Sequence, residues 1–394
     1  MTTVHEINDP HELAALRPIW DELFARTPGT SFFHSLTWLQ VYWKHFGARQ
    51  RLRVLVVYED EQAIGIVPLV VRTSRRSEPV KVLTYPLDEN DWANYYRPIG
   101  PDPLTTLTAA LNHVRRTPRD WHILELSWID ELTDEGRTKM ALDKCGLSAT
   151  CEAHYPRAII DLRAHGSWKA FCASRSGKWR NDLDRQEKKL ARRGAVSYVR
   201  YRPSVEAGGQ TDPRWDLYEA CEAISRVSWQ GSVRGNMLNR EEFRGFYRDM
   251  HLAAVCAGFA DLNLLRVDDQ PVAFCYGYQY RGNLVSLKTA YDPAYRQEGA
   301  GTVVQARALA DSIARGDREI DLGSVRQEYK RRWLTHTRAM RRYVYFPPGA
   351  IVAQVVRAKR AIERRLKDTV RRWRPARNSR VSRVSSPVGV PSAD

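Results

Sequence analysis

Residues 283–333 decide the fold of this chain, and they read NLVSLKTAYDPAYRQEGAGTVVQARALADSIARGDREIDLGSVRQEYKRRW. The alternation from Leu284 to Thr289 predicts a β-strand. A loop ending in Arg296-Gln297-Glu298-Gly299-Ala300-Gly301 follows, then a helical pattern, and then a second strand from Glu319 to Leu322. This order predicts a site for a phosphorylated ligand, because glycine lets the backbone come close and the first amides of a helix bind anions.

The glycine loop by itself is more typical of an ordinary turn into a helix than of a binding site. It lacks G-x-G-x-x-G, which disfavours a dinucleotide site, and it lacks G-K-S/T, which disfavours a P-loop. Arg296, Gly299 and Gly301 fit the pattern Arg/Gln-x-x-Gly-x-Gly/Ala. This pattern resembles the pyrophosphate-binding loop of the GNAT N-acyltransferases, which hold acyl-CoA there.

A longer series of short motifs resembles the CelD-like acetyltransferases, a GNAT family that includes a cellulose-biosynthesis protein and is similar to the FemABX peptidyltransferases. The resemblance covers roughly residues 10 to 345. In the second half the matching residues are Tyr291, Asp292, Pro293, Gly299, Gly301, Ala310, Gly316, Asp321, Tyr329, Lys330 and Trp333. Upstream they are Phe32, Trp38, Gly65, Ile66, Pro68, Leu69, the pair Asp91-Trp92, Arg180, Lys188, Lys189 and Gly194.

The resemblance implies an α/β (α+β) fold of two tandem GNAT-like halves, each a mixed, mainly antiparallel twisted sheet flanked by helices. It also implies acetyl-CoA or another acyl-CoA as co-substrate, with no metal. The thioester carbonyl would be held by backbone N–H groups at the end of the first strand, and the diphosphate by the loop amides beside the charge of Arg296. The residues concerned are Thr289, Ala290 and Tyr291 for the carbonyl, and Glu298, Gly299, Ala300, Gly301 and Thr302 for the diphosphate.

Three residues are the catalytic candidates. Tyr329 stands where relatives often place a tyrosine that protonates the leaving thiolate; the alternative is a hydrophobic anchor with a hydroxyl at the surface. Lys330 would bind phosphate or an acceptor carboxylate. Asp321 is the base candidate in the motif, and Glu328 and Glu222 are the others.

One segment departs from the family pattern. Between Asp321 and Tyr329 the family usually carries Gly-Asp-Glu, whereas this chain has Val325-Arg326-Gln327. A cation and an amide therefore replace two acids. The departure implies a different catalytic group, a different acceptor or an inactive member.

The strand pattern occurs twice. Residues 52–58 and 63–71 predict a hairpin around the acidic turn Glu59-Asp60-Glu61, and residues 261–267 and 272–279 predict a second hairpin around Asp268-Asp269-Gln270. We therefore predict an N-terminal half at 1–160, a C-terminal half with the acyl-CoA site at 161–345, and a tail at 346–394. The C-terminal half opens with a charged helical region, Ser167 to Arg193, which is either a solvated helix with internal ion pairs or a cationic wall facing an anionic substrate.

The tail carries most of the excess positive charge. The formal net charge is +16, and residues 357–383 contain twelve Lys/Arg against two acids. Apolar residues recur every three or four positions from Val355 to Trp373, which predicts a basic amphipathic helix over Ile351 to Trp373, with disorder past Pro375. An anionic membrane surface contacting residues 351–383 is one candidate partner, nucleic acid is a less favoured one, and a helix docked on the body is the alternative.

The remaining composition favours a cytoplasmic protein, with peripheral attachment to the inner face of the membrane as an extension. The six cysteines have no C-x-x-C or zinc spacing and read as reduced thiols. The first residues are acidic and do not resemble a signal peptide, and no apolar run reaches the ~18 residues of a membrane span.

Three hypotheses for function follow. The first is an acyl-CoA-dependent N-acyltransferase, in which acetyl is transferred to a small-molecule or saccharide amine such as an amino sugar or an envelope polysaccharide precursor. The second is a FemABX-like transferase that uses aminoacyl-tRNA. The third is a degenerate GNAT scaffold that acts as a binding module.

Overall fold

The computed structural model describes residues 1–73, 80–86, 97–204, 211–228 and 241–373. Met1–Tyr345 form one compact unit, and a second unit begins at Phe346. The strands are β1 (Thr2–Ile7), β2 (Gln50–Glu59), β3 (Gln62–Thr73), β4 (Lys81–Thr84), β5 (Ile123–Asp130), β6 (Thr150–Ala153), β7 (Arg157–Asp161), β8 (Val196–Tyr201), β9 (Ala260–Val267), β10 (Gln270–Tyr280), β11 (Asn283–Tyr291), β12 (Glu319–Ser324), β13 (His336–Arg338) and β14 (Met340–Tyr345). The helices are α1 (Arg17–Arg26), α2 (Leu36–Phe46), α3 (Pro103–Arg116), α4 (Glu131–Asp134), α5 (Arg137–Lys144), α6 (Trp168–Ala173), α7 (Gly177–Ala191), α8 (Trp215–Val227), α9 (Glu241–Cys256), α10 (Ala300–Ala314) and α11 (Ile351–Trp373).

The strands form two seven-stranded sheets with the same internal plan. The first has the order β1-β2-β3-β4-β5-β14-β6, and the second has the order β8-β9-β10-β11-β12-β7-β13. Each sheet is antiparallel except for one parallel pair, β4 with β5 and β11 with β12. The predicted fold class, two mixed and mainly antiparallel sheets flanked by helices, is confirmed.

The two sheets exchange a strand. β14, late in the chain, lies between β5 and β6 of the first sheet, and β7 occupies the same place between β12 and β13 of the second. The predicted boundary at residue 160 falls inside β7, so the sheets do not divide the chain at one point. This exchange ties the two halves into one unit by backbone hydrogen bonds.

Both predicted hairpins are present, and acidic residues make both turns. Asp60 and Glu61 lie between β2 and β3, and Asp268 and Asp269 lie between β9 and β10, all four with positive φ. Two consecutive positive φ values match the right-handed twist of the strands, and Asp tolerates this conformation better than most side chains. The turns set the registers Glu59↔Gln62 and Gln270↔Val267.

The largest of the described apolar clusters spans the two halves, and smaller ones pack on the second sheet. The largest cluster runs from β1 to β14 and includes side chains of both sheets. Aromatic rings join the halves: the Phe32 centroid lies 4.7 Å from that of Tyr278 and 5.1 Å from that of Phe259. The Phe24 ring lies 5.0 Å from Tyr280. Such contacts fix the second sheet, which carries the candidate site, against the first half.

The charged region between the sheets is two helices, α6 and α7, rather than one. Ser176 ends the connection between them, and its hydroxyl accepts a hydrogen bond from the Trp179 amide at 3.2 Å. A serine cap of this kind starts a new helix. Several charges of α7 are paired within the helix, as in Lys188 with Asp184 at 2.7 Å and Arg185 with Asp182. These pairs favour a solvated, internally paired helix over a cationic wall.

The second unit begins with a proline-rich turn and continues as α11, with the predicted bounds. The Ala350 amide donates to the Pro347 carbonyl at 3.1 Å, and the Gln354 side-chain amide donates to the same oxygen at 2.9 Å. Among helices of the described ranges, none has the length and apolar character that a bilayer crossing requires.

Candidate functional site

The parallel strands β11 and β12 separate early. They pair at only three positions, Asn283↔Glu319, Leu284↔Ile320 and Val285↔Asp321. β11 then continues from Ser286 to Tyr291, while β12 bends toward β7. In the described part of the chain no strand pairs with this edge of β11. Because its peptide groups face the gap, the edge can bind an extended ligand.

The predicted loop lies at the end of this open edge. Asp292 caps a short 3₁₀ turn by accepting a hydrogen bond from the Ala294 amide at 2.9 Å, and α10 begins at Ala300. Gly299 precedes the helix with φ 73°, a left-handed conformation that glycine adopts without strain. Neither Ala300 nor Gly301 has an acceptor for its amide within the described ranges. Two N–H groups at a helix start are thus available to an anion.

Side chains pack closely over the same turn. A Cβ built on Gly299 would lie 2.5 Å from Cδ of Gln186 on α7, and a Cβ on Gly301 would lie 2.8 Å from the Tyr291 ring. The Glu298 carboxylate is largely buried, 3.8 Å from the Arg193 guanidinium. The turn therefore has no room for larger side chains, because Gln186 packs on Gly299 and the Tyr291 ring packs on Gly301.

Tyr329 lies in the 3₁₀ turn Glu328–Arg332 that follows β12. The residue is 42% exposed, and the Cys275 thiol is near enough to act on its hydroxyl electrostatically. Burial first, and then Cys275, raise the pKa of this hydroxyl well above its usual range. Tyr329 is therefore protonated at neutral pH, as a proton donor must be.

Cys275 links Tyr329 to the open edge. It lies on β10 opposite Thr289 of β11, and the Thr289 side chain hydrogen bonds to it. Burial raises the pKa of the Cys275 thiol to about 12, so it stays neutral. Tyr329 thus acts electrostatically on the same thiol that the Thr289 side chain contacts.

Lys330 points away from solvent. It is 4% exposed, and its ammonium donates to the Ser324 carbonyl at 2.9 Å. Burial lowers its pKa to about 8, and the neighbouring Asp321 acts in the opposite direction. In this position Lys330 fixes the turn after β12 and has limited access to a phosphate.

Both oxygens of Asp321 accept hydrogen bonds within the protein. One receives the Arg157 Nε–H at 2.7 Å, and the other receives the Gly323 amide at 2.6 Å. Burial raises the pKa of Asp321 to about 7, while the Gly323 amide and nearby cations lower it. A carboxylate with both oxygens engaged suits a structural role better than proton abstraction.

The predicted residues therefore fall into two groups. Thr289, Ala290 and Tyr291 lie on the open edge and lead into the loop from Arg296, which is exposed, to Thr302. Asp321 and Lys330 form the second group, in and after β12, and Tyr329 precedes Lys330 in the same turn. Sequence reasoning missed Gln186, Cys275 and Arg157, which come from α7, β10 and β7; no local motif marks them.

One small cavity lies under α10. Its volume is about 30 Å³, room for about two water molecules, and its wall includes Arg200, Asp261 and Gln305. Arg200 Nε has no acceptor in the ranges that the structure describes. The cavity is too small for a thioester carrier and is separate from the glycine turn.

Some predictions lie outside the described residues, namely those on Asp91-Trp92 and on the tail beyond residue 373. Over the ranges described, no cluster of three or more His, Cys, Asp or Glu side chains could hold a metal ion.

The sequence of the second half matches a known family. Residues 177–331 fit the family model described as "Acetyltransferase (GNAT) domain". This segment is therefore similar in sequence to a GNAT domain. The matched segment contains α7, the open edge of β11, the glycine turn, α10 and Tyr329, so the whole candidate site lies inside it. A search of curated protein sequences finds no match.

Solved structures similar to this chain extend over both halves. FemX is 10% identical, with 88% of this chain and 97% of that chain covered and a TM-score of 0.56. The C-terminal domain of a putative lysylphosphatidylglycerol synthetase from Agrobacterium fabrum is 11% identical, with 87% and 95% covered and a TM-score of 0.51. L-PGS from Bacillus licheniformis is 13% identical, with 91% and 99% covered and a TM-score of 0.50. At these identities the likeness is one of fold, and the two sheets are tandem GNAT-like halves.

Proposed function

We propose that this protein is an acyl-CoA-dependent N-acyltransferase whose donor site lies in the second half, residues 161–345. The observation that carries the proposal is the early separation of β11 and β12 in front of a helix start capped by Gly299. An open strand edge and unpaired helical amides suit a ligand with an extended amide chain and a diphosphate at its end. Acyl-CoA has that chemistry.

In the proposed complex the diphosphate accepts hydrogen bonds from the amides between Glu298 and Thr302, and Arg296 contributes charge. The thioester carbonyl accepts a hydrogen bond from a backbone N–H between Thr289 and Tyr291. A donor at this point stabilises the oxyanion that forms when the carbonyl carbon becomes tetrahedral.

The transfer exchanges one bond for another. The neutral acceptor nitrogen attacks the thioester carbon, a C–N bond forms and the C–S bond breaks. Tyr329 donates its proton to the departing thiolate, the acceptor nitrogen loses a proton to solvent, and solvent reprotonates the Tyr329 phenolate. Since Asp321 is engaged by Arg157 and Gly323, we assign it to holding β12 in place.

Donor binding can be tested by thermal shift and calorimetry with acetyl-CoA. A ligand at 100 times its Kd stabilises the folded state by about 2.7 kcal/mol. Arg296→Ala should weaken binding about tenfold, the effect of losing one charge-assisted hydrogen bond of about 1.5 kcal/mol. Arg315→Ala, the same change at the far end of α10, is the matched control and should bind normally. No stabilisation by acetyl-CoA, with stabilisation by aminoacyl-tRNA, would instead support the FemABX-like reaction.

The acceptor class follows from the CelD-like resemblance and from one contact. The resemblance suggests an amino sugar or an envelope polysaccharide precursor. Where relatives carry two acids, the Arg326 guanidinium lies 3.3 Å from the centre of the Tyr155 ring and is exposed. A guanidinium stacked on an aromatic ring is held in place for bidentate recognition of an anion. We therefore propose an amine acceptor that also carries a negative charge.

A second candidate function is supported by the packing of Gln186 on Gly299. If this contact persists in solution, the turn is closed and the protein is a GNAT scaffold that binds a partner without catalysis. The presence of Val325-Arg326-Gln327 in place of Gly-Asp-Glu also favours a scaffold without catalysis. Gln186→Ala separates the two: gain of acetyl-CoA binding only in the variant would support the scaffold, and binding by both proteins would support the enzyme.

A further inference from the structure

The helix α11 exposes a stripe of apolar side chains. Ile351, Val355, Ile362 and Leu366 are 83%, 54%, 59% and 60% exposed, and Ala358 between them is also exposed. Spacings of three and four residues place all five on one face of the helix. With Val352, this helix contributes five of the twelve large hydrophobic side chains that are most exposed in the described part of the chain.

The apolar stripe is not the face that α11 buries. The buried side chains of this helix are Ala353 and Val356, which lie on nearly the opposite side. Among the residues that the structure describes, the stripe is therefore solvent-exposed.

The charge around the stripe indicates what covers it. Between residues 351 and 373 the sequence has eight Lys/Arg and two acids. Of the exposed cations, Lys359 and Arg365 border the stripe on its two sides, and Arg357 lies on the polar face opposite it. An apolar face bordered by cations is complementary to a lipid surface that presents anionic headgroups above an acyl interior.

A second copy of the chain fits this stripe less well. In a coiled-coil register with Val355 and Ile362 at position a, position d would hold Ala358 and then Arg365. Two such helices would also bring their positive charges together. Nucleic acid would use the cations but would leave the apolar stripe exposed.

We propose that α11 is an interfacial helix that lays the stripe from Ile351 to Leu366 on an anionic membrane surface, parallel to the bilayer. The apolar side chains enter the boundary between headgroups and acyl chains, and the cations contact the headgroups. The proposal is independent of the donor and acceptor of the acyl transfer.

The test is co-sedimentation of the full chain with vesicles of phosphatidylglycerol and phosphatidylcholine, compared with phosphatidylcholine alone. Binding should require the anionic lipid and should weaken between about 0.1 and 0.5 M salt, because salt screens the attraction between the cations of α11 and the headgroups. Leu366→Asp should weaken binding about tenfold or more, because a leucine is no longer buried. Ala361→Asp is the matched control: it makes the same charge change on an exposed residue off the stripe and should reduce binding only slightly.

Four results would overturn the proposal. They are absence of binding to anionic vesicles, equal binding to neutral vesicles, equal losses in Leu366→Asp and Ala361→Asp, and a dimer in solution that Leu366→Asp converts to a monomer. A wild-type thermal unfolding curve for Leu366→Asp would show that the variant is folded, so a loss of vesicle binding reports on the stripe alone.

Discussion

Replacing Asp321 by asparagine should destabilise the protein more than it impairs chemistry. The asparagine side chain would keep an oxygen for the Gly323 amide but would remove the charge beside Arg157, which is 2.7 Å from the carboxylate. The side chains of Arg157 and Asp321 are only 3% and 4% exposed, so water cannot replace the lost partner. Asp321→Asn therefore leaves a buried guanidinium without its carboxylate.

The expected loss can be worked from this geometry. Removing one partner of a buried ion pair lowers the free energy of unfolding by about 3–5 kcal/mol. Two features favour the lower end: burial has already raised the pKa of Asp321 to about 7, and Asp130 also attracts Arg157. About 3 kcal/mol corresponds to a decrease in Tm of about 6–12 °C for a protein of a few hundred residues.

The assay is urea and thermal denaturation of wild type, Asp321→Asn and Asp184→Asn. Asp184 pairs with Lys188 at 2.7 Å, but both side chains are more than 60% exposed. Asp184→Asn should therefore lower the free energy of unfolding by less than about 1 kcal/mol. The double variant Asp321→Asn/Arg157→Met should recover part of the loss in the free energy of unfolding, because it also removes the buried cation. An unchanged Tm together with a large fall in kcat would refute this reasoning and would restore Asp321 as the base.

Three further predictions concern pH, proton donation and acceptor charge. Burial lowers the pKa of His34 to about 3 and of His251 to about 4, so below pH 6.5 the unfolded chain binds protons that the folded chain does not. The free energy of unfolding should be greatest above pH 6.5 and should fall by about 1.4 kcal/mol per unit and per histidine as the pH decreases; His34→Gln should reduce that slope in urea titrations, and an unaltered slope would contradict the assignment. Tyr329→Phe should lower kcat about 100-fold with little change in KM for acetyl-CoA or in Tm, if it protonates the thiolate; a normal kcat would leave Tyr329 as an anchor only. Arg326→Ala should abolish a preference for glucosamine 6-phosphate over glucosamine, measured as the ratio of kcat/KM; the same ratio in both proteins would exclude Arg326 from acceptor recognition.

Local sequence signals predicted the elements around the glycine turn. Alternation marked β11, the 3.6-residue pattern marked α10, and the acidic pairs at 60–61 and 268–269 marked both hairpins. These features depend on neighbours within a few residues, so the sequence shows them directly. The break between α6 and α7 was missed because Ser176 resembles any other polar residue of a charged helix.

The features that the sequence did not predict depend on packing between residues far apart in the chain. The Arg157–Asp321 pair joins residues 164 positions apart, and Gln186 meets Gly299 only because α7 lies against α10. The exchange of β7 and β14 between sheets likewise has no local signature. The sequence placed the candidate loop correctly on a strand–helix junction but could not show which side chains cover it.

The most direct test of the account is a crystal structure of the protein with acetyl-CoA. We predict the diphosphate within hydrogen-bond distance of the Ala300 and Gly301 amides, the pantetheine chain along the free edge of β11, and the Gln186 side chain moved off Gly299. A structure in which acetyl-CoA lies elsewhere, or in which Gln186 stays on Gly299 with no ligand at the turn, would contradict the proposed donor site.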